Sequence, residues 1–145
     1  MEPATIRSFT AAHAYRFDHP RLFPDIVNDM YVGPGALGPG DNVGPFDLPT
    51  TDGARLRSPD LYEARPVLLV FGSRTCPVTE SAAEGLKRLH AAYGSQVRFV
   101  MVGVREAHPG QATGQPHTFE QKVRHAVGLG AHHHLSFEVA FDDID

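Results

Sequence analysis

The chain has 145 residues, 41% of them apolar and 21% charged, an ordinary globular mix with room for one domain and a tail. A net charge of −4 leaves no positive field to hold nucleic acid or an anionic membrane. A single cysteine excludes both an intrachain disulfide and a Cys-rich zinc centre. No apolar run approaches the roughly 20 residues of a membrane span, and Met1-Glu2-Pro3 does not open a secretory signal. The expectation is a cytoplasmic protein.

Residues 1–32 carry Phe9, Tyr15, Phe17, Leu22, Phe23, Ile26, Met30 and Tyr31, too apolar for a free tail, with a short helix expected over Pro24–Met30. Residues 33–45 include 8 Gly or Pro among 13 and read as a connector. Phe46-Asp47-Leu48 and Arg55-Leu56-Arg57 flank Thr51-Asp52-Gly53, the pattern of a β-hairpin. Ser58-Pro59 then starts a single helical turn.

Pro66–Phe71 is continuously apolar and predicts a strand buried on both faces. From Val78 the period changes to that of a helix, with Ala82, Ala83, Leu86, Leu89, Ala92 and Tyr93 on one face and Gly94 as its stop. Leu86, Leu89 and Tyr93 are expected in the core. Val97–Val104 predicts a second buried strand, and residues 105–117 a polar loop. Thr118 and Gln121 have capping-box spacing, opening a helix whose inner face is Val123, Ala126 and Val127. Phe137–Phe141 reads as a last strand. Strand, helix, strand with buried strands implies a right-handed crossover and a parallel pair, so the class is α/β.

The chemistry concentrates at Cys76, where a buried strand ends and a helix begins. Unpaired N–H groups and the helix dipole favour an anion there, so a thiol at such a position ionises more readily. Arg74 and the hydroxyls of Ser73, Thr75 and Thr79 are expected to hydrogen-bond the thiolate, and Pro77 suits the first helical position. Consecutive parallel strands end on one sheet edge, so Glu106 and His108, after the second strand, share the edge of Cys76, although by themselves such loop residues read as solvated. A histidine beside a thiol moves protons near neutral pH. His90 and His125 are expected on exposed helix faces. His132-His133-His134 gives no metal expectation, because adjacent residues rarely converge on one ion and no spaced carboxylate joins them.

Phe71-Gly72-Ser73-Arg74-Thr75-Cys76-Pro77, Leu86-Lys87-Arg88-Leu89-His90, Val97–Val102 and Arg105-Glu106-Ala107-His108-Pro109 together resemble the iodothyronine deiodinase family over about residues 40–145. The resemblance implies a thioredoxin-like, three-layer α/β/α domain with parallel central strands, related to the peroxiredoxins. It implies Cys76 as the nucleophile, Thr75 and Ser73 as its hydroxyl neighbours, and Glu106 and His108 as the acid and imidazole. His117 matches a further family histidine before the next helix. Residues 1–39 then form an extension and linker.

Three departures accompany the resemblance. Cysteine stands where the animal enzymes have selenocysteine, with Arg74 before Thr75. Gly110-Gln111-Ala112 replaces an Asp-Gly-Trp segment, and the chain has no tryptophan. The sequence also stops before the usual C-terminal hairpin, helix and cis-proline loop. The expectation is therefore a shortened form, or a homodimer through the edge of the Val67–Phe71 strand.

The resulting functional expectation is a thiol-dependent oxidoreductase with no bound cofactor or metal. Lacking a second cysteine, with Thr79 in its place, it requires an external thiol reductant. Its substrate is an iodinated aromatic or a peroxide; Ser73 fits the peroxiredoxin spacing, but Leu69 stands where that pattern has proline. A non-catalytic binding module is the alternative from another class.

Overall fold

The computed structural model describes residues 36–62, 65–110 and 113–143. The expected helix over 24–30 lies outside them. Residues 36–46 form neither helix nor strand, as their Gly and Pro content requires. The hairpin follows as β1 (Asp47–Pro49) and β2 (Arg55–Arg57), antiparallel with Leu48 opposite Leu56. Gly53, at φ +85°, takes the left-handed turn conformation, and its N–H donates to the Thr50 carbonyl. A 3₁₀ turn over Ser58–Tyr62 matches the Ser-Pro start.

The main sheet comprises β3 (Val67–Gly72), β4 (Arg98–Gly103) and β5 (Glu138–Phe141), all parallel in the order β3-β4-β5. Helix α1 (Pro77–Tyr93) connects the first pair and α2 (Phe119–His132) the second. Among the described residues no helix is long and apolar enough to cross a membrane.

Two apolar clusters hold the layers together. Met101, Val139 and Phe141 from one sheet face pack with Leu86 of α1 and with Ala126 and Leu129 of α2. Val100, Val102 and Ala140 from the other face pack with Leu56, Phe46, Leu48 and Leu61. The two-residue period of β4 and β5 sorts these side chains to opposite faces. The three layers are therefore the helical pair, the sheet, and the hairpin with its 3₁₀ turn. The hairpin is anchored at its tip, where the Thr51 N–H donates to the Val139 carbonyl at 2.9 Å.

The strand before Cys76 departs from its expected burial. It is an edge strand among the described residues, and Phe71 is 66% exposed and Leu68 38% exposed. An apolar run marks a strand but not what covers it. The central, buried strand is β4. The outer edge of β3 is where a second chain's strand was expected to pair.

The inward helical faces also differ from expectation. On α1 the stripe facing the sheet runs through Thr79, Ala83, Leu86 and His90, while Leu89 and Tyr93 are exposed. Two neighbouring stripes are compatible with helical spacing, and the close approach of α1 to β3 selects the one with small residues at its start. His90 is half-buried, with its ring against Phe99 and Phe137 and Nδ1 3.0 Å from Ser136 Oγ. On α2, Lys122, Ala126 and Leu129 are buried, and Val127 is exposed. Lys122 is tolerated inside because its ammonium pairs with Asp142, just past β5.

Gly72 is dictated by contact with α1. A Cβ there would lie 2.7 Å from Thr79 Oγ1 and 3.3 Å from Met101 Sδ. Gly72→Ala is expected to lower stability by about 1–3 kcal/mol through overpacking. Urea unfolding tests this; an unchanged midpoint would show that α1 does not press on β3 as described.

Candidate active site

Parallel register places the ends of the strands at one sheet edge. Gly72 closes β3 level with Gly103 of β4, and Phe141 of β5 stands beside Gly103. The Val104 N–H donates to the Gly72 carbonyl at 2.9 Å, extending the pairing past the strands. Cys76 and Glu106 follow within four residues of these ends. This is the edge at which open α/β sheets bind ligands.

Cys76 is the N-cap of α1, extended at φ −87° and ψ 117°, and half-buried. Its N–H donates to the Ser73 carbonyl at 3.3 Å and its carbonyl accepts the Glu80 N–H at 3.0 Å. Its side chain makes no capping bond. Pro77, lacking an N–H, fits the first turn as expected. The thiol thus stands over a helix start without being consumed as the cap.

Glu106 lies beside Thr75, the residue before Cys76. Glu106 is 2% exposed. Its Oε2 accepts the Thr75 N–H at 2.9 Å and the Thr75 hydroxyl at 2.7 Å. Its Oε1 lies 2.9 Å from His125 Nδ1. Where the carboxylate accepts, the donor is His125 Nδ1–H, which selects the Nδ1–H tautomer of a neutral ring. Burial of this carboxylate is supported by those donors, as a buried anion requires. Gln115 fixes the Glu106 backbone from both sides, accepting its N–H at 3.0 Å and donating to its carbonyl at 2.6 Å.

The hydroxyls accept backbone N–H groups of the two loops, which corrects the expectation that they bond the sulfur. Ser73 Oγ accepts the Ala107 N–H at 3.1 Å, and Thr75 Oγ1 accepts the His108 N–H at 3.1 Å. Thr79 Oγ1 accepts the Ser73 N–H at 3.3 Å. The loops after β3 and β4 have backbone groups that no strand pairs, and these hydroxyls are the nearest partners.

His108 is exposed on its loop, and its backbone is held to Thr75. Arg74 is exposed and crosses α2 at Gly128, where an added Cβ would lie 3.3 Å from Nη1. His117 is exposed before α2, and its N–H donates to Gln121 Oε1 at 2.6 Å. The structure ties His117 to the capping box of α2 rather than to the Cys76 loop. The box itself forms as the Thr118–Gln121 spacing predicts.

His125 is the residue the sequence leaves on an exposed face and the structure brings to the site. Its helical position, one turn after Gln121 and before Leu129, carries no local signal of a partner. Only the crossing of α2 over the end of β4 supplies Glu106. Ser73, Arg74, Glu106, Lys122 and His125 together line a small recess at this edge.

A second cluster forms nearby, where Glu80 of α1 meets His132 and His133. Burial holds the His133 imidazole below the usual histidine range, against the opposing pull of the Glu80 carboxylate.

With this geometry in view, the relatives can be placed. The iodothyronine deiodinase family model matches residues 54–126, just over half of the chain. No curated protein matches it. A secreted disulfide oxidoreductase of Mycobacterium tuberculosis, homologous to Escherichia coli DsbE, is 23% identical with a TM-score of 0.50, over 67% of this chain and 60% of that one. DsbF of the same organism is 19% identical with a TM-score of 0.50, over 66% and 59%. An uncharacterized conserved protein of Geobacillus kaustophilus is 18% identical with a TM-score of 0.57, over 78% and 59%. The chain spans about 60% of the length of these structures. The likenesses establish the fold, which is thioredoxin-like.

Thr75→Val removes the hydroxyl that bonds Glu106 and the His108 N–H. It is expected to cost about 1–3 kcal/mol by leaving buried groups unpaired, while Thr75→Ser restores most of the loss. Equal urea midpoints for Val and wild type would contradict the network.

Proposed function

Because the chain belongs to the iodothyronine deiodinase family, we propose that it is a thiol-dependent oxidoreductase with Cys76 as nucleophile and an external thiol as reductant. The observation that carries this is the pair of bonds from Thr75 to Glu106 across 31 residues of sequence. They bring an acid, its histidine and the His108 loop against the residue preceding the thiol.

An iodinated phenol is the substrate class this reading favours. The thiolate sulfur of Cys76 attacks iodine, and an S–I bond forms as the C–I bond breaks. The electron pair of that bond stays with the ring carbon, which takes a proton. His108 and His125 are the proton carriers in this scheme, and Glu106 orients His125 through Nδ1. An external thiol then attacks the sulfur, releasing iodide and leaving a mixed disulfide. A second thiol frees Cys76 and departs as the reductant's disulfide. One aryl iodide and two thiols become one arene, iodide, a proton and a disulfide.

The family supports Glu106 and His108 in these roles. His125 is added from its 2.9 Å contact with the acid. Ser73, Thr79 and Pro77 position the loop and the helix start, and Arg74 borders the recess.

The test follows iodide release from an iodinated phenol with excess dithiothreitol, beside a parallel arm with hydrogen peroxide. Wild type is expected to release iodide. Cys76→Ser abolishes turnover, and His125→Gln lowers it about 10²–10⁴-fold, the range of a lost proton carrier. Peroxide consumption without iodide release would replace the aryl iodide with a peroxide as substrate. Inactivity in both arms, or an active Cys76→Ser chain, would overturn the proposal.

A further inference from the structure

We propose that Glu80, His132 and His133 form a binding site for a divalent transition-metal cation of the zinc class, bridging the first turn of α1 and the end of α2. His132 Nε2 lies 2.9 Å from Glu80 Oε2, and His133 Nδ1 lies 3.6 Å from the same oxygen. The three donor atoms fall within 4.8 Å of one another. Tetrahedral zinc, with bonds of about 2.0–2.1 Å, sets its donors about 3.3 Å apart. The two separations from Glu80 Oε2, 2.9 and 3.6 Å, bracket that value.

Adjacent residues converge here because the helix ends between them. Within an α-helix, neighbours point about 100° apart. His132 is the last residue of α2 and His133 its C-cap, at φ −91° and ψ 2°. Their rings stand 4.8 Å apart at 71° to one another. The carboxylate comes from another helix, 52 residues earlier in the chain.

A plain surface ion pair accounts for His132 and Glu80, whose side chains are 45% and 63% exposed. It does not account for His133. That side chain is 1% exposed, and its Nδ1 is too far from Glu80 for a hydrogen bond. Such a group is poorly placed as a hydrogen-bonding residue. It is well placed as a ligand. Two imidazoles and a carboxylate suit zinc, cobalt or nickel over magnesium or calcium. Three protein ligands leave a fourth position to water.

The location gives the ion a role distinct from the chemistry at Cys76. The Glu80 N–H bonds the Cys76 carbonyl at 3.0 Å, so an ion held by Glu80 fixes the turn that carries the nucleophile.

The experiment titrates Co²⁺ into the full-length chain, read by visible absorption, and Zn²⁺ by calorimetry. Saturable one-to-one binding is expected. Glu80→Gln and His132→Ala should each weaken it at least about tenfold. His134→Asn should leave it unchanged; His134 is exposed at φ +51°, a conformation asparagine accepts. Absence of saturable binding would overturn the proposal. So would equal losses in His134→Asn and Glu80→Gln, which would mark an exposed histidine run gathering metal from solution.

Discussion

The Thr75–Glu106 interaction is the constraint on which the site depends. Strand register alone brings two loops to one edge of the sheet, but it does not fix either loop. A single carboxylate accepts both the backbone and the hydroxyl of Thr75, and the same hydroxyl accepts the His108 N–H. Ser73 repeats the stitch with the Ala107 N–H. Thr75, the residue before Cys76, is thereby tied to the Glu106–His108 segment by hydrogen bonds of 2.7–3.1 Å. Glu106 is itself buried, so its bonds to Thr75 are costly to leave unmade.

This arrangement explains why the edge is polar while the sheet is apolar. Gly72 lets α1 settle onto β3, so that the helix start stands directly over the strand end. Arg74, Lys122 and His125 border the recess beyond it, and Lys122 is held by Asp142 at the end of β5. Each of the three parallel strands thus contributes to one rim: Cys76 after β3, Glu106 after β4 and Asp142 after β5. The layer of hairpin and 3₁₀ turn packs against the opposite face of the sheet.

Features governed by local chemistry were legible in the sequence. Asp52-Gly53 marked the hairpin, Thr118 and Gln121 marked the start of α2, and the change of period after Cys76 marked the strand-to-helix junction. The rule that parallel strands end on one edge also anticipated that the loop of Thr75 and Cys76 meets the loop of Glu106 and His108. Partners set by packing were not legible. His125 carries no sign of Glu106, which lies 19 residues away and meets it only when α2 crosses β4. Glu80 carries no sign of the histidines at the end of α2. The apolar run of β3 likewise named a strand without naming its cover, so Phe71 and Leu68 lie more open than their character suggests. The hydroxyls of Ser73, Thr75 and Thr79 were assigned to the nearest anion in sequence, whereas N–H groups of the facing loop claim Ser73 and Thr75, and the Ser73 N–H claims Thr79.

If Cys76 is the nucleophile proposed above, the fold itself must make its thiol reactive toward electrophiles. The most direct measurement is its alkylation rate with iodoacetamide at pH 7, in the folded chain and in the same chain held in denaturant. A sulfur over a helix start, flanked by the Thr75–Glu106 network, should react at least about tenfold faster when folded. A folded rate equal to or below the denatured one would contradict the account, because the architecture around Cys76 would then confer no reactivity.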